Sequence, residues 1–175
     1  MNLDIVKEYY DNLSDIYDDF YGLEQIEKIN LIREMYKKLF DGKIFENGLD
    51  FGCGTGISTQ FLKEITKNTY IYDISDKMIE LAKKKVPEAI VIKDLSQYKN
   101  FFDIIISITV LQDSSNPEEE LIKLKELLKN DGIIILSVLN RKGIAFWKNI
   151  IKKHFSILWF EEQEKDFIFV LSKPF

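Results

Sequence analysis

Two stretches of this chain, FDIIISITVL at 102–111 and GIIILSVL at 132–139, are apolar at almost every position. A strand with one wet face alternates apolar and polar side chains, whereas a strand covered on both faces does not. Both runs therefore belong to the interior of a sheet with helices packed on its two sides. From residue 48 onward such runs alternate with helical patterns, which implies parallel strands joined by right-handed helical crossovers.

The chain reads as follows. Two N-terminal helices span 3–20 and 23–40, the second with Ile26, Ile29, Ile32, Tyr36 and Leu39 at helical spacing and Asp41-Gly42 beyond its end. Strands are expected at 48–53, 69–74, 89–93, 103–109 and 133–139, and helices at 57–66, 75–86, 117–129 and 143–154. Asn130-Asp131-Gly132 reads as a turn. Two further β-rich runs, 156–162 and 166–172, are separated by only Gln163, Glu164 and Lys165. So short a connection makes a hairpin, so one of these strands runs antiparallel to the rest. A sheet of six parallel strands, as in dinucleotide-binding folds, does not have that feature.

With 175 residues and no repeat or linker, the chain is expected to form one domain, 1–175. It comprises the N-terminal helices at 1–40 and a core at 41–175. Apolar residues make up 46% and charged residues 30%, a globular composition. The longest apolar stretch, 104–111, is far below the roughly 20 residues of a membrane span. The N-terminus mixes charges of both signs, unlike a signal peptide, so the mature chain is expected to begin near Met1. A lone Cys53 permits no internal disulfide, and no Cys/His spacing suits zinc, so the expected compartment is the cytoplasm and no metal site is expected. A net charge of -5 argues against a broad nucleic-acid surface. The basic residues between Arg141 and His154 are expected to form a solvated helix face.

The main chemical signal is Asp50-Phe51-Gly52-Cys53-Gly54-Thr55-Gly56, between an expected strand and an expected helix. Glycines there let the backbone turn sharply and approach a ligand, and the helix that follows presents unpaired amide groups. The spacing is G-x-G-x-G; a nicotinamide-type G-x-G-x-x-G would need glycine where Ile57 stands. The second strand ends in Asp73, 23 residues beyond Asp50. A carboxylate at that place accepts hydrogen bonds from ribose hydroxyls and repels a ribose phosphate. The third strand ends in Asp94, where a carboxylate suits an exocyclic amine. A turn or helix-cap role is the alternative for each acid taken singly.

On these residues the sequence resembles the class I S-adenosylmethionine-dependent methyltransferases, over about residues 41–173. The resemblance implies an α/β, Rossmann-like, doubly wound sheet of seven strands, mostly parallel, in the order 3-2-1-4-5-7-6 with a reversed strand in the C-terminal hairpin. It also implies S-adenosyl-L-methionine as methyl donor and S-adenosyl-L-homocysteine as product. Asp50, Gly52, Cys53, Gly54, Thr55 and Gly56 match the loop that wraps the methionine part, and Asp73 the ribose-binding acid. Ile74 and Met78 fall at the adenine contacts, Asp94 and Leu95 at the adenine amine contact. Thr109 to Asp113 follows the fourth strand, where relatives line the methyl-transfer site. Many relatives carry histidines there, where this chain has Gln112 and Asp113, the candidate catalytic groups. Tyr10 and Tyr17, seven residues apart, resemble the tyrosine/aspartate helix that small-molecule members fold over the cofactor; packing onto the sheet is their alternative role.

Methyl transfer is an in-line displacement at a sulfonium carbon, so positioning supplies much of the rate and a base is needed only if the acceptor must lose a proton early. A small-molecule acceptor is the expected one, with residues 1–40 as its lid. The alternatives are a protein or RNA acceptor with a partner subunit docking on Ile144, Phe146, Trp147, Ile157, Leu158, Trp159 and Phe160, and a binding protein without catalysis. His154 is expected to be a surface or C-terminal helix residue, and Cys53 to pack or to line the cofactor, neither acting as a catalyst.

Overall fold

The computed structural model describes residues 3–14 and 16–174. One seven-stranded sheet runs in the order β3-β2-β1-β4-β5-β7-β6, the arrangement that the resemblance implied. Two compact units divide the chain, 2–93 and 94–175.

In the first unit, α1 (Leu3–Leu13) and α2 (Tyr17–Phe40) precede β1 (Phe45–Phe51), α3 (Ile57–Glu64), β2 (Thr66–Tyr72), α4 (Asp76–Lys85) and the two-residue β3 (Ile90–Val91). β1 pairs in parallel with β2, and β2 with β3. The first helix ends at Leu13 and the second begins at Tyr17, not at residues 20 and 23 as the pattern suggested. The Ser14 hydroxyl donates to the Asp11 carbonyl at 2.9 Å and so competes with the helical ladder. Gly22 stays inside α2 at a cost of only about 1 kcal/mol relative to alanine. Cys53, Ile71, Ile79, Ala82, Val86 and Ala89 form a buried cluster in this unit. Arg33 of α2 grips Glu64 of α3 with two hydrogen bonds, at 3.0 and 2.8 Å.

The second unit contains β4 (Phe102–Ile108), α5 (Pro117–Leu127), β5 (Leu128–Leu139), α6 (Ile144–Lys152), β6 (Ser156–Glu162) and β7 (Asp166–Ser172). β4 and β5 are parallel, while β7 is antiparallel to both β5 and β6, as the three-residue connection required. Ile104, Ile105 and Ile106 of β4 and Ile134, Ile135 and Leu136 of β5 are fully buried, which accounts for their uninterrupted apolar character. Asn130-Asp131-Gly132 is not a turn between elements. β5 already begins at Leu128, and these residues are taken up where the register jumps from the Phe102–Leu128 pair to Ile104–Ile133. A Cβ on Gly132 would stand 2.8 Å from a Leu128 methyl and 3.0 Å from the Asp103 carbonyl oxygen, so a side chain at the bulge would force Leu128 to shift.

Candidate functional site

The glycine loop leaves β1 with three residues in the left-handed region: Gly52 at φ 78°, Gly54 at 51° and Gly56 at 91°. A side chain at any of them would be strained. At Gly56 it would also lie 2.7 Å from the Cα of Ala82, because α4 packs directly on the loop. The Gly52 and Cys53 amides both donate to the Tyr72 carbonyl, at 2.7 and 3.1 Å, pinning the loop to the end of β2.

Asp50 and Asp73 flank this loop from the ends of neighbouring strands. Asp50 is completely buried, and its Oδ2 accepts from Ser58 and Thr59 of α3, each at 2.7 Å. Its Oδ1 is buried and has no hydrogen-bond donor. Burial pushes its pKa up to about 7, against the lowering effect of the two hydroxyls, with Asp73 adding a smaller upward push. Ser58 and Thr59 have no part in the sequence reading, although two adjacent hydroxyls in the first turn of the helix after a glycine loop are a readable signal.

Asp73 lies just beyond β2. Its Oδ2 accepts from the Gly54 amide and its Oδ1 from the Ser75 amide, both at 2.9 Å. Burial raises its pKa, opposed by these backbone amides. A carboxylate offers about four acceptor sites, so the amides do not exhaust it. Asp73 and Ile74 line a cleft of about 420 Å³ together with Lys7, Tyr72, Asp76, Ile92 and Lys93. At its rim Asp76 accepts from Lys93 at 2.5 Å and from Lys7 of α1 at 3.2 Å. These cations hold the Asp76 carboxyl below its ordinary range, Lys93 contributing most.

Cys53 is buried, and burial together with the charges of Asp50 and Asp73 pushes its thiol well above the ordinary range, so it is a packing residue and not a nucleophile. Met78 is also buried, at 1% exposure, and its amide is capped by the Ser75 hydroxyl at 3.1 Å. Thr55, 3% exposed, donates to Asp18 of α2 at 2.6 Å. Tyr10 and Tyr17 stand on separate helices, so they do not share one helix face. The first helix ends at Leu13 and the second begins at Tyr17, yet the Tyr10 and Tyr17 ring centroids are 6.4 Å apart, and the Tyr17 ring meets Tyr21, tilted, at 5.1 Å.

The remaining candidates belong to the 94–175 unit. Asp94 caps the short 3-10 turn Leu95–Gln97, accepting from the Ser96 amide at 2.9 Å and from Gln97 at 3.1 Å. Thr109, the first residue past β4, has φ 59°, a strained setting for a β-branched residue. Its carbonyl accepts from the Gln112 side-chain amide at 2.7 Å, and Asp113 Oδ2 from the same nitrogen at 3.1 Å. Both neighbours are acceptors, which fixes the orientation of the Gln112 amide. Its Oε1 is left buried without a donor. His154 and Lys153 both engage Glu118, at 2.9 and 3.0 Å, on the helix face expected to be solvated. Of the apolar residues near the C-terminus, Trp147 is core, while Phe146 and Leu158 are 37% and 47% exposed.

A sequence profile for the methyltransferase domain matches residues 49–136. An uncharacterized protein of Methanocaldococcus jannaschii is 34% identical over 155 residues, 86% of this chain and 58% of that protein. A malonyl-(acyl-carrier protein) O-methyltransferase of Priestia megaterium is 31% identical over 144 residues, 78% of this chain and 52% of that enzyme. The chain thus spans a little over half the length of these curated relatives. Among solved structures, magnesium protoporphyrin IX methyltransferase from Synechocystis, crystallised with S-adenosylmethionine, matches with a TM-score of 0.82 over 99% of this chain and 98% of that one. Their sequences are 19% identical, so this likeness is one of fold. The profile covers half of the chain, from the glycine loop to the fifth strand, and on that footing the chain belongs to the methyltransferase-domain family, within the class I S-adenosylmethionine-dependent methyltransferases.

Proposed function

We propose that this chain transfers a methyl group from S-adenosyl-L-methionine to a small-molecule acceptor. The observation that carries the reading is the pairing of Asp73 with the glycine loop at the head of a nucleoside-sized cleft. Asp73 has acceptor capacity for ribose hydroxyls, and Ile74 and Ile92 offer apolar surface for a base. The donorless Oδ1 of Asp50 suits an ammonium group, such as that of the methionine part, which would hold Asp50 ionised. The residues therefore fit the cofactor, whose contribution when bound is an activated methyl on a sulfonium leaving group.

The chain's own part is to bind, orient and exclude water. Asp50, Gly52, Cys53, Gly54, Thr55, Gly56, Asp73, Ile74 and Met78 are assigned to the cofactor, with Asp94, Leu95, Thr109, Tyr10 and Tyr17. Gln112 and Asp113 are assigned to the acceptor: the Gln112 Oε1 takes a hydrogen bond from an O–H or N–H nucleophile, and the Asp113 carboxylate takes up its proton as the new bond forms. A small-molecule acceptor accords with magnesium protoporphyrin IX, the substrate named for the Synechocystis enzyme. In this reading the chain is one domain, with residues 1–40 as its lid.

Incubation with isotopically labelled methyl donor and fractionated cell extract tests this. Label in the small-molecule pool is expected, and label confined to protein or RNA overturns the acceptor class. A partner subunit is the second reading, favoured by Phe20 and Leu23 of α2, 70% and 81% exposed. Size-exclusion of native lysate tests it, and elution as a lone monomer counts against it. Among the described residues, no helix is long and apolar enough to cross a membrane.

A further inference from the structure

The polar residues of α1 and α2 reach the two segments to which the proposed function assigns the cofactor. Asp11 Oδ1 accepts from the Ser75 hydroxyl at 2.5 Å, and Ser75 is the residue whose amide holds Asp73. Asp18 Oδ1 accepts from the Thr55 hydroxyl at 2.6 Å, and Thr55 stands between two positive-φ glycines, Gly54 and Gly56. Lys85, in the last turn of α4, completes the arrangement by donating to Asp18 Oδ2 at 2.5 Å and to Thr55 Oγ1 at 3.0 Å. Thr55 is buried, while the Asp18 side chain is 44% exposed, so the contact can be removed from the helix side without opening the core.

A loop that needs three positive-φ glycines gives up much backbone entropy when it is ordered. Any contact that orders it beforehand lowers the cost that a ligand must meet on binding. The Asp18–Thr55–Lys85 contact does this from outside the loop, and it ties the loop to the first turn of α2. By linkage, a ligand that fixes the loop must stabilise the docked helix by the same factor.

We propose that Asp18 is a positioning residue: by holding Thr55 it sets the glycine loop in its ligand-gripping turn and couples docking of α2 to occupancy of that loop. This rests on the loop being the cofactor site. The test is titration calorimetry with S-adenosyl-L-homocysteine on the wild-type chain, Asp18→Ala, Thr55→Val, Thr55→Ser and the Asp18→Ala/Thr55→Val double variant. Amide hydrogen exchange of α2 is followed in each with and without that compound.

Affinity is expected to fall roughly five- to thirty-fold in Asp18→Ala and Thr55→Val, with the double variant no weaker than either single one. Thr55→Ser keeps the hydroxyl and should restore wild-type binding. The compound should slow exchange at the start of α2 in wild type and Thr55→Ser only, a readout that a purely structural tie would not move. If Asp18→Ala binds as tightly as wild type with the same ligand-dependent protection, the coupling is refuted and the cofactor assignment stands. A wild-type chain that does not bind the compound overturns both.

Discussion

The Gly54 amide donates to Asp73 Oδ2 at 2.9 Å, so one hydrogen bond joins the tip of the glycine loop to the acid at the end of the neighbouring strand. Under the proposed function the same carboxylate also takes the ribose hydroxyls, and the two halves of the nucleoside grip are one unit. Hydrogen bonds to a charged group contribute about 1.5–3 kcal/mol each. Asp73→Ala is therefore expected to weaken S-adenosyl-L-homocysteine binding on the order of a hundredfold and to remove most of the rise in melting temperature that the compound causes. NAD should give no rise with either protein. An undiminished shift in Asp73→Ala would rule out the ribose contact.

The third loop glycine is expected to tolerate no side chain. In Gly56→Ala the new methyl would sit 2.7 Å from a backbone atom of α4 on a residue held at φ 91°. Overpacking and left-handed strain each cost about 1–3 kcal/mol, so the variant should lose on the order of 3 kcal/mol in urea unfolding. Ala82→Gly should not rescue it, because the nearest atom is the Ala82 Cα and the φ angle remains. Recovery of wild-type stability in the double variant would place the conflict in the Ala82 methyl instead.

The buried strands, the glycine loop and the C-terminal hairpin were legible because each follows from a local rule: unbroken apolar runs, glycine spacing and a connection of three residues. Most of what escaped depended on contacts distant in sequence, Ser14 with its contact three residues back being the local exception. Ser14 ends α1 through its own side chain, and no periodicity reports that. Asn130-Asp131-Gly132 has the composition of a turn, but pairing of Leu128 with Phe102 draws it into β5 as a bulge. Ser58 and Thr59 acquire meaning only once α3 is laid against the end of β1, and Asp11 and Asp18 only once α1 and α2 dock near α4 and the loop.

Cys53 sits inside the glycine loop, yet two neighbouring carboxylates and its burial disfavour the thiolate. Iodoacetamide at pH 8 is expected to leave the folded protein unlabelled over hours and to label it fully in 6 M guanidinium, roughly the unperturbed thiol reactivity. Mass spectrometry of the intact chain reads both. Rapid native-state labelling would mean that the loop opens and exposes the thiol.

Asp50 gives the ligand-free protein a pH dependence of unusual sign. Its folded pKa of about 7 lies above the ordinary value of 3.8, so the folded state holds the proton more tightly than the unfolded chain does. Stability from this group is then complete below about pH 4 and is lost as pH rises through about 7, the reverse of a salt-bridged aspartate. At about 1.36 kcal/mol per pKa unit the loss is a few kcal/mol. Asp50→Asn keeps an acceptor for Ser58 and Thr59 without the charge, and should be free of this loss. The melting temperature of the variant is expected to gain on wild type from pH 5 to about pH 7 and to level off by pH 8, and parallel curves would show that the carboxyl is already ionised in the folded protein at pH 5. Under the proposed function, saturation with S-adenosyl-L-homocysteine should stabilise wild type more than the variant at pH 8 and so narrow the gap, because the ammonium group would supply the donor that Asp50 Oδ1 lacks.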